Sequence, residues 1–217
     1  MKAVEFVGFE GRETAAVNRY IEAVRQALAQ QNYHAALISA LTIPDVCMWL
    51  ECGELTKRET SEKRYKVWFE RYMAQKYVFK RRERLGSLPK SLFWPFTEEE
   101  RQAYWVQREA YFNSEKAVEE PLLTGYDFYG LRCAMLHTGT VENKPKNKPK
   151  PQRTLDRFEF KRPEAHKIIH CNSSGDRLQL QVDIFCEQIC IGAERWFQER
   201  GSDQKVIERR AELLEIS

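Results

Sequence analysis

Hydrophobic and polar positions recur at helical spacing over most of the chain. Between residues 14 and 30 an apolar side chain returns every three or four positions, which predicts an amphipathic helix. The same criterion predicts further helices over 34–51, 60–77, 97–112 and 124–137, and two more from residue 183 onwards. Thr97 and Glu100 stand at capping-box spacing at the start of the fourth helix, and Gly139 ends the fifth.

Two segments between the fifth and sixth helices depart from this pattern. Residues 142–153 form a basic loop rich in proline and lysine, with almost no apolar side chains, and we expect it to be solvated and extended. The stretches RFEFK, HKIIH and RLQLQV alternate over two residues, which predicts a small antiparallel sheet or hairpin at about 155–182. The predicted fold is a mainly α single domain over 1–217, a helical bundle with a small antiparallel β insertion before the C-terminal helices.

Composition adds little about partners but indicates a compartment. The net charge of +3 comes from 35 basic and 32 acidic side chains, so a basic surface requires local clustering. The six cysteines form no C-x-x-C pair and lie mostly in apolar stretches, as buried free thiols do. We find no signal-peptide pattern and no window that approaches the length of a membrane span, and we predict a reduced, cytoplasmic protein without a membrane partner.

The fifth helix carries the candidate chemistry, in the segment GYDFYGLRCAMLHTGT. Arg132 and His137 are its only basic side chains, and the residues between them are apolar or small. The carbonyl end of a helix favours a protonated imidazole, so a histidine there can exchange protons at physiological pH. A guanidinium beside it suits phosphoryl chemistry on RNA without a metal or other cofactor, with the histidine moving the proton and the arginine stabilising the phosphate charge.

These residues resemble the HEPN superfamily, in which an apolar helix near the end of a small helical bundle carries arginine, a gap of four to six residues and histidine. The wider context YDFYGLRCAMLHTGT is similar to the bacterial branch with D-x-Y-x-x-R-x-x-x-x-H. The resemblance implies a metal-independent endoribonuclease that acts as a toxin or in antiviral defence. It also implies a homodimer with both motifs along one cleft. Where family nucleases often have a polar residue after the arginine, this chain has Cys133.

The resemblance implies a role for each motif residue. Arg132 and His137 are the predicted catalytic pair, with Arg132 on the scissile phosphate, His137 as acid or base, and a 2′,3′-cyclic phosphate as the product end. Asp127 is expected to hold the guanidinium, while Tyr126 and Tyr129 are expected to stack on a base or to pack. The expected partners are RNA, a second copy of the chain and a neutralising antitoxin protein. The basic side chains expected to guide the RNA backbone are Lys144, Lys146, Lys148, Lys150 and Arg153.

Other interpretations of the same residues stay open at this point. Arg132 and His137 can form a structural pair, with the arginine bound to Asp127 or to a carboxylate of another helix. The chain would then be a non-catalytic HEPN-type scaffold that binds RNA, a nucleotide or a protein. His166 and His170 would share one face of a strand and approach a metal ion, but no third or fourth ligand is evident, so we expect no metal site.

Overall fold

The computed structural model describes residues 15–55, 60–84, 97–113, 115–142 and 155–213. Their fold is mainly helical, as the spacing of apolar residues predicts. The described helices are α1 (Ala15–Ala29), α2 (Tyr33–Cys52), α3 (Ser61–Tyr72) with a 3₁₀ turn at Ala74–Tyr77, α4 (Glu98–Asn113), α5 (Gly125–Thr138), α6 (Val182–Arg200) and α7 (Gln204–Arg210). The described strands are β1 (Val78–Arg84), β2 (Glu115–Pro121), β3 (Arg157–Lys161), β4 (Asn172–Ser174) and β5 (Arg177–Gln181).

The chain divides into two compact units. The smaller unit, residues 78–121, contains the antiparallel pair β1–β2 and α4. Its strands were not predicted. The start of α4 was predicted from the spacing of Thr97 and Glu100, and these two residues exchange the hydrogen bonds of a capping box. The larger unit comprises the described parts of residues 1–77 and 122–217 and contains every other element.

In the larger unit, α2 packs against α1, α3 and α6 and supplies much of the core. α2 is also long and apolar enough to cross a membrane, judged by length and composition alone, which corrects the expectation that no segment approaches a span. Half of its most apolar window is buried inside the protein, as in the core helix of a folded domain. This single helix decides nothing about a membrane.

The small sheet differs from the predicted antiparallel arrangement. Its strand order is β3–β5–β4, and β3 runs parallel to β5 while β4 runs antiparallel to it. The stretch HKIIH is not a strand: His166 occupies a turn with φ of 68°, and Cys171 has φ of 60°. The side chain of Gln181 accepts from the amide of Ile169, so this loop is fastened to the end of β5.

α5 is fixed at both ends and along its buried face. At its start, Thr124 and Asp127 form a capping box, and at its end Gly139 takes a left-handed conformation with φ of 65°. Phe128 is fully buried and lies 4.8–6.5 Å, between ring centroids, from four aromatic rings, those of Tyr65, Trp68, Phe69 and Phe185. The last turn of α5 therefore has a defined position on the surface of the larger unit.

Candidate functional site

Arg132 and His137 meet at the C-terminal turn of α5. The Nη1 atom of Arg132 lies 3.4 Å from Nε2 of His137, and the contact is exposed. Residues five apart are about 140° apart around an ideal helix, so the two would point in different directions on a regular cylinder. Because five residues rise only about 7.5 Å along the axis, the long arginine side chain can span the gap. A single chain thus brings the pair together without a second subunit.

The carboxylate that holds Arg132 comes from a different helix. Nε of Arg132 donates to Oδ2 of Asp45 at 2.9 Å, which links α5 to the middle of α2. The side chains of Arg132 and Asp45 are 20% and 30% exposed, so this ion pair is largely shielded from water. With Nε occupied, the two Nη groups remain as the donors that a phosphate would use.

Asp127 does not hold Arg132, which corrects the role predicted for it. Its carboxylate accepts from the hydroxyl of Thr124 at 2.6 Å and from the backbone amide of Leu155 at 3.0 Å. The residue is 2% exposed and stands in the first turn of α5, where it closes the capping box. Asp127 therefore anchors the start of the helix and the chain entering β3.

Burial governs the electrostatics of the Asp45–Arg132 pair. Burial raises the pKa of the Asp45 carboxyl above its ordinary value, and the Arg132 guanidinium only partly opposes that rise. At Arg132, burial lowers the pKa, but the charge of Asp45 and its hydrogen bond outweigh this, so the pKa stands above its ordinary value. A carboxyl whose burial outweighs its ion pair contributes little to stability and serves mainly to orient its partner.

His137 is placed to accept a proton. It is exposed and lies in the last turn of α5. A guanidinium can only donate hydrogen bonds, so the Arg132 contact uses the lone pair on Nε2, and a neutral imidazole in this contact carries its hydrogen on Nδ1. At 3.4 Å the contact is long, and a phosphate that draws the guanidinium towards itself would free Nε2.

The two tyrosines predicted to support the site lie in different places. Tyr129 is half-buried near Arg132, and its ring lies 5.8 Å from that of Tyr65. Burial and a hydrogen bond with the Cys133 thiol raise the pKa of Tyr129 to about 12, so it stays protonated at neutral pH. Tyr126 stands at the other end of α5, about 16 Å from His137 along the axis, with Nζ of Lys66 3.0 Å from its ring centroid. Of the two tyrosines, only Tyr129 lies near Arg132.

Two further predictions concern the basic loop and a metal site. The loop with Lys144, Lys146, Lys148, Lys150 and Arg153 lies outside the described residues, so its role as an RNA guide stays a prediction. Among the residues the structure describes, no group of three or more His, Cys, Asp or Glu side chains could hold a metal ion. Nδ1 of His170 instead accepts from the amide of Gln181 at 3.2 Å, and burial lowers the pKa of this histidine.

Asp45 was not predicted to be part of the site. It is the only carboxylate between residues 33 and 50, a stretch that is otherwise nearly all apolar. Because a buried charge requires a partner, an isolated acid in one apolar helix and an isolated arginine in another indicate that the two side chains pair.

Comparisons with known proteins leave the site to be judged by its geometry. No protein-family model, no curated protein and no solved structure matches this chain. The HEPN resemblance therefore rests on the sequence itself: the motif in α5, the upstream helix at residues 40–54, and the helical arrangement of residues 14–140.

Proposed function

We propose that this protein is a metal-independent endoribonuclease of HEPN type. The observation that carries the proposal is the exposed contact between Arg132 and His137, with the arginine oriented from behind by Asp45. Phosphoryl transfer to a 2′-hydroxyl requires a proton acceptor and a fixed donor of several hydrogen bonds. Both groups are present here at one water-accessible point. No cofactor enters the proposed reaction.

The proposed reaction proceeds in one displacement. Nε2 of His137 takes the proton of the 2′-hydroxyl, the 2′-oxygen bonds to phosphorus, and the bond from phosphorus to the 5′-oxygen breaks. The leaving 5′-oxygen takes a proton, from an imidazolium or from water. The Nη groups of Arg132 stabilise the charge that accumulates on the phosphate oxygens. The products are a 2′,3′-cyclic phosphate and a 5′-hydroxyl.

The oligomeric state, the substrate and the biological role are part of the same proposal. We propose a cytoplasmic homodimer in which two such pairs face one cleft, with RNA as substrate and with a role as a toxin or in antiviral defence. A cognate antitoxin protein would be its inhibitor. The monomer already assembles one Arg132–His137 pair, so a dimer would add a second pair and widen the substrate groove.

The enzyme should cleave single-stranded RNA in buffer with excess EDTA, and Arg132→Ala should slow this cleavage by about 10²–10³-fold, the typical effect of removing one transition-state donor. Arg132→Lys should retain part of the rate, since it keeps the charge but loses the planar donor fork. The assay follows a labelled oligonucleotide and identifies the ends of its products.

The matched control for this assay is Arg195→Ala, which removes an exposed arginine of α6. It should cleave like the parent. Circular dichroism of each variant separates a lost reaction from a lost fold. Equal rates for Arg132→Ala and the parent, or cleavage that stops when EDTA is added, would contradict the proposal.

One observation favours a second candidate, a HEPN-type scaffold that binds RNA, a nucleotide or a protein without turnover. The Arg132–Asp45 ion pair joins α5 to α2 and is largely shielded, as structural pairs are. In this case the purified protein would cleave no RNA at any concentration. Arg132→Ala would then lower the thermal midpoint, whereas His137→Ala would have no turnover to remove.

A further inference from the structure

A pocket lies in the larger unit, apart from the Arg132–His137 contact. It has a volume of about 390 Å³ and lies between the start of α2, the end of α5 and β3. This volume falls within the range of about 300–1,000 Å³ typical of small-molecule sites. Met135 and Gly139 of α5 line the pocket, and these residues flank His137 in sequence.

The rim of the pocket carries positive charge. Lys161 and Arg162 line it from the end of β3. None of the described residues that line the pocket has a carboxylate. Nζ of Lys161 lies 3.5 Å from the Glu159 carboxylate, which offsets part of its charge. Arg162 is exposed, and in the described part of the chain no carboxylate pairs with it.

The floor of the pocket is apolar. Leu37, Met135, Phe160 and Val182 supply side chains that bury a flat or apolar group without requiring hydrogen bonds. Phe160 is held in place by Phe185, whose ring centroid lies 5.6 Å away. A second aromatic ring, that of Tyr33, stands at the edge. An aromatic face on an apolar floor favours a planar ligand, because stacking adds to the burial of area.

A positive rim above an apolar floor selects a small organic anion that has a planar body. We propose that this pocket binds one nucleoside monophosphate unit, with its phosphate on Arg162 and Lys161 and its base on the floor beside Phe160. A guanidinium without a carboxylate partner can grip phosphate oxygens in a bidentate manner. The unit is either a free nucleotide or one residue of an RNA strand. The proposal concerns binding alone and does not depend on RNA cleavage.

Isothermal titration calorimetry of the full chain in EDTA tests this site. The probes are the four 5′-ribonucleoside monophosphates, ribose 5-phosphate and inorganic phosphate. At least one mononucleotide should bind, and more tightly than ribose 5-phosphate, because only the nucleotide places a base on the floor. Arg162→Ala should weaken that binding by about tenfold or more, the loss typical of a charge-assisted hydrogen bond.

The matched control is Lys167→Ala, which removes an exposed cation five residues further along the chain and outside the pocket. It should bind like the parent. A tetradeoxynucleotide, which has no 2′-hydroxyl to react, separates the two sources. Tighter binding of the strand than of any mononucleotide assigns the pocket to RNA, and the reverse assigns it to a free nucleotide.

The proposal is overturned if no mononucleotide binds more tightly than ribose 5-phosphate, or if Arg162→Ala binds as well as the parent. This outcome stays separate from the ribonuclease proposal, because a mononucleotide has no internucleotide phosphate to cleave and the titration measures binding alone.

Discussion

His137→Ala should lower the rate of RNA cleavage by about 10²–10⁴-fold, the usual contribution of general acid–base catalysis. The imidazole is the group at this site that can take a proton from a hydroxyl, since burial and Cys133 keep Tyr129 protonated and Asp45 is bound to Arg132. The variant should fold normally, because His137 is exposed and its contact with Arg132 is long. Single-turnover cleavage in EDTA, with enzyme in excess over a labelled oligonucleotide, measures the effect.

His166→Asn is the matched control for this experiment. His166 is also exposed, but it lies in the turn after β3, and asparagine tolerates the left-handed backbone found there. The control should cleave like the parent and have the same thermal midpoint. If His137→Ala and His166→Asn both cleave at the parental rate, the activity belongs to other residues or to a contaminant.

Phe128→Ala should destabilise the protein by about 3–5 kcal/mol, the typical cost of removing a fully buried large aromatic side chain. Phe128 is completely buried and contacts four aromatic rings, from α3 and α6, so the cavity would lie where α5 joins the core. Chemical denaturation followed by tryptophan fluorescence measures the free energy of unfolding. Tyr126→Ala, on the exposed side of the same helix, should change it far less.

The decrease in the free energy of unfolding also tests whether the aromatic cluster around Phe128 anchors α5. Cleavage by Phe128→Ala should fall even at temperatures where the variant remains folded, because α5 carries both Arg132 and His137. An unfolding free energy within 1 kcal/mol of the parent would show that α5 is not anchored by this aromatic cluster.

Sequence alone predicted the helices well because each follows from local chemistry. The start and end of α5 depend on Thr124, Asp127 and Gly139, all within the helix or beside it. The hairpin β1–β2 was missed because its strands are mostly charged and lack apolar alternation. Its register, which sets Val78 opposite Pro121 and Phe79 opposite Glu120, is known only once the two strands are paired.

The three-stranded sheet was predicted less well than the helices, because its arrangement does not follow from local sequence. The stretch HKIIH has the composition of a strand, yet the residue type cannot reveal that its first residue, His166, and the residue after it, Cys171, take positive φ values. Whether β3 runs parallel or antiparallel to β5 depends on the path of the chain between them. That path is a tertiary feature, and alternation in the sequence does not encode it.

For the candidate site, the sequence singled out Arg132 and His137 but not Asp45. Arg132 and His137 stood out because basic groups are rare in an apolar helix, but the sequence favoured Asp127 as the carboxylate partner, since it was near in the chain. The actual partner, Asp45, is 87 residues away and reaches Arg132 only because α2 and α5 pack together. Proximity in space, which decides ion pairs, is not readable from spacing along one helix.

We propose that Arg132 and His137 cut RNA by activating a 2′-hydroxyl. The most direct measurement compares one RNA oligonucleotide with copies that carry a single 2′-deoxy substitution at each nucleotide in turn, in EDTA. We expect cleavage to disappear only when the deoxy sugar lies directly 5′ of the scissile phosphate, and the normal product to end in a 2′,3′-cyclic phosphate. Continued cleavage at that position, or an intact oligonucleotide in every reaction, would contradict the claim.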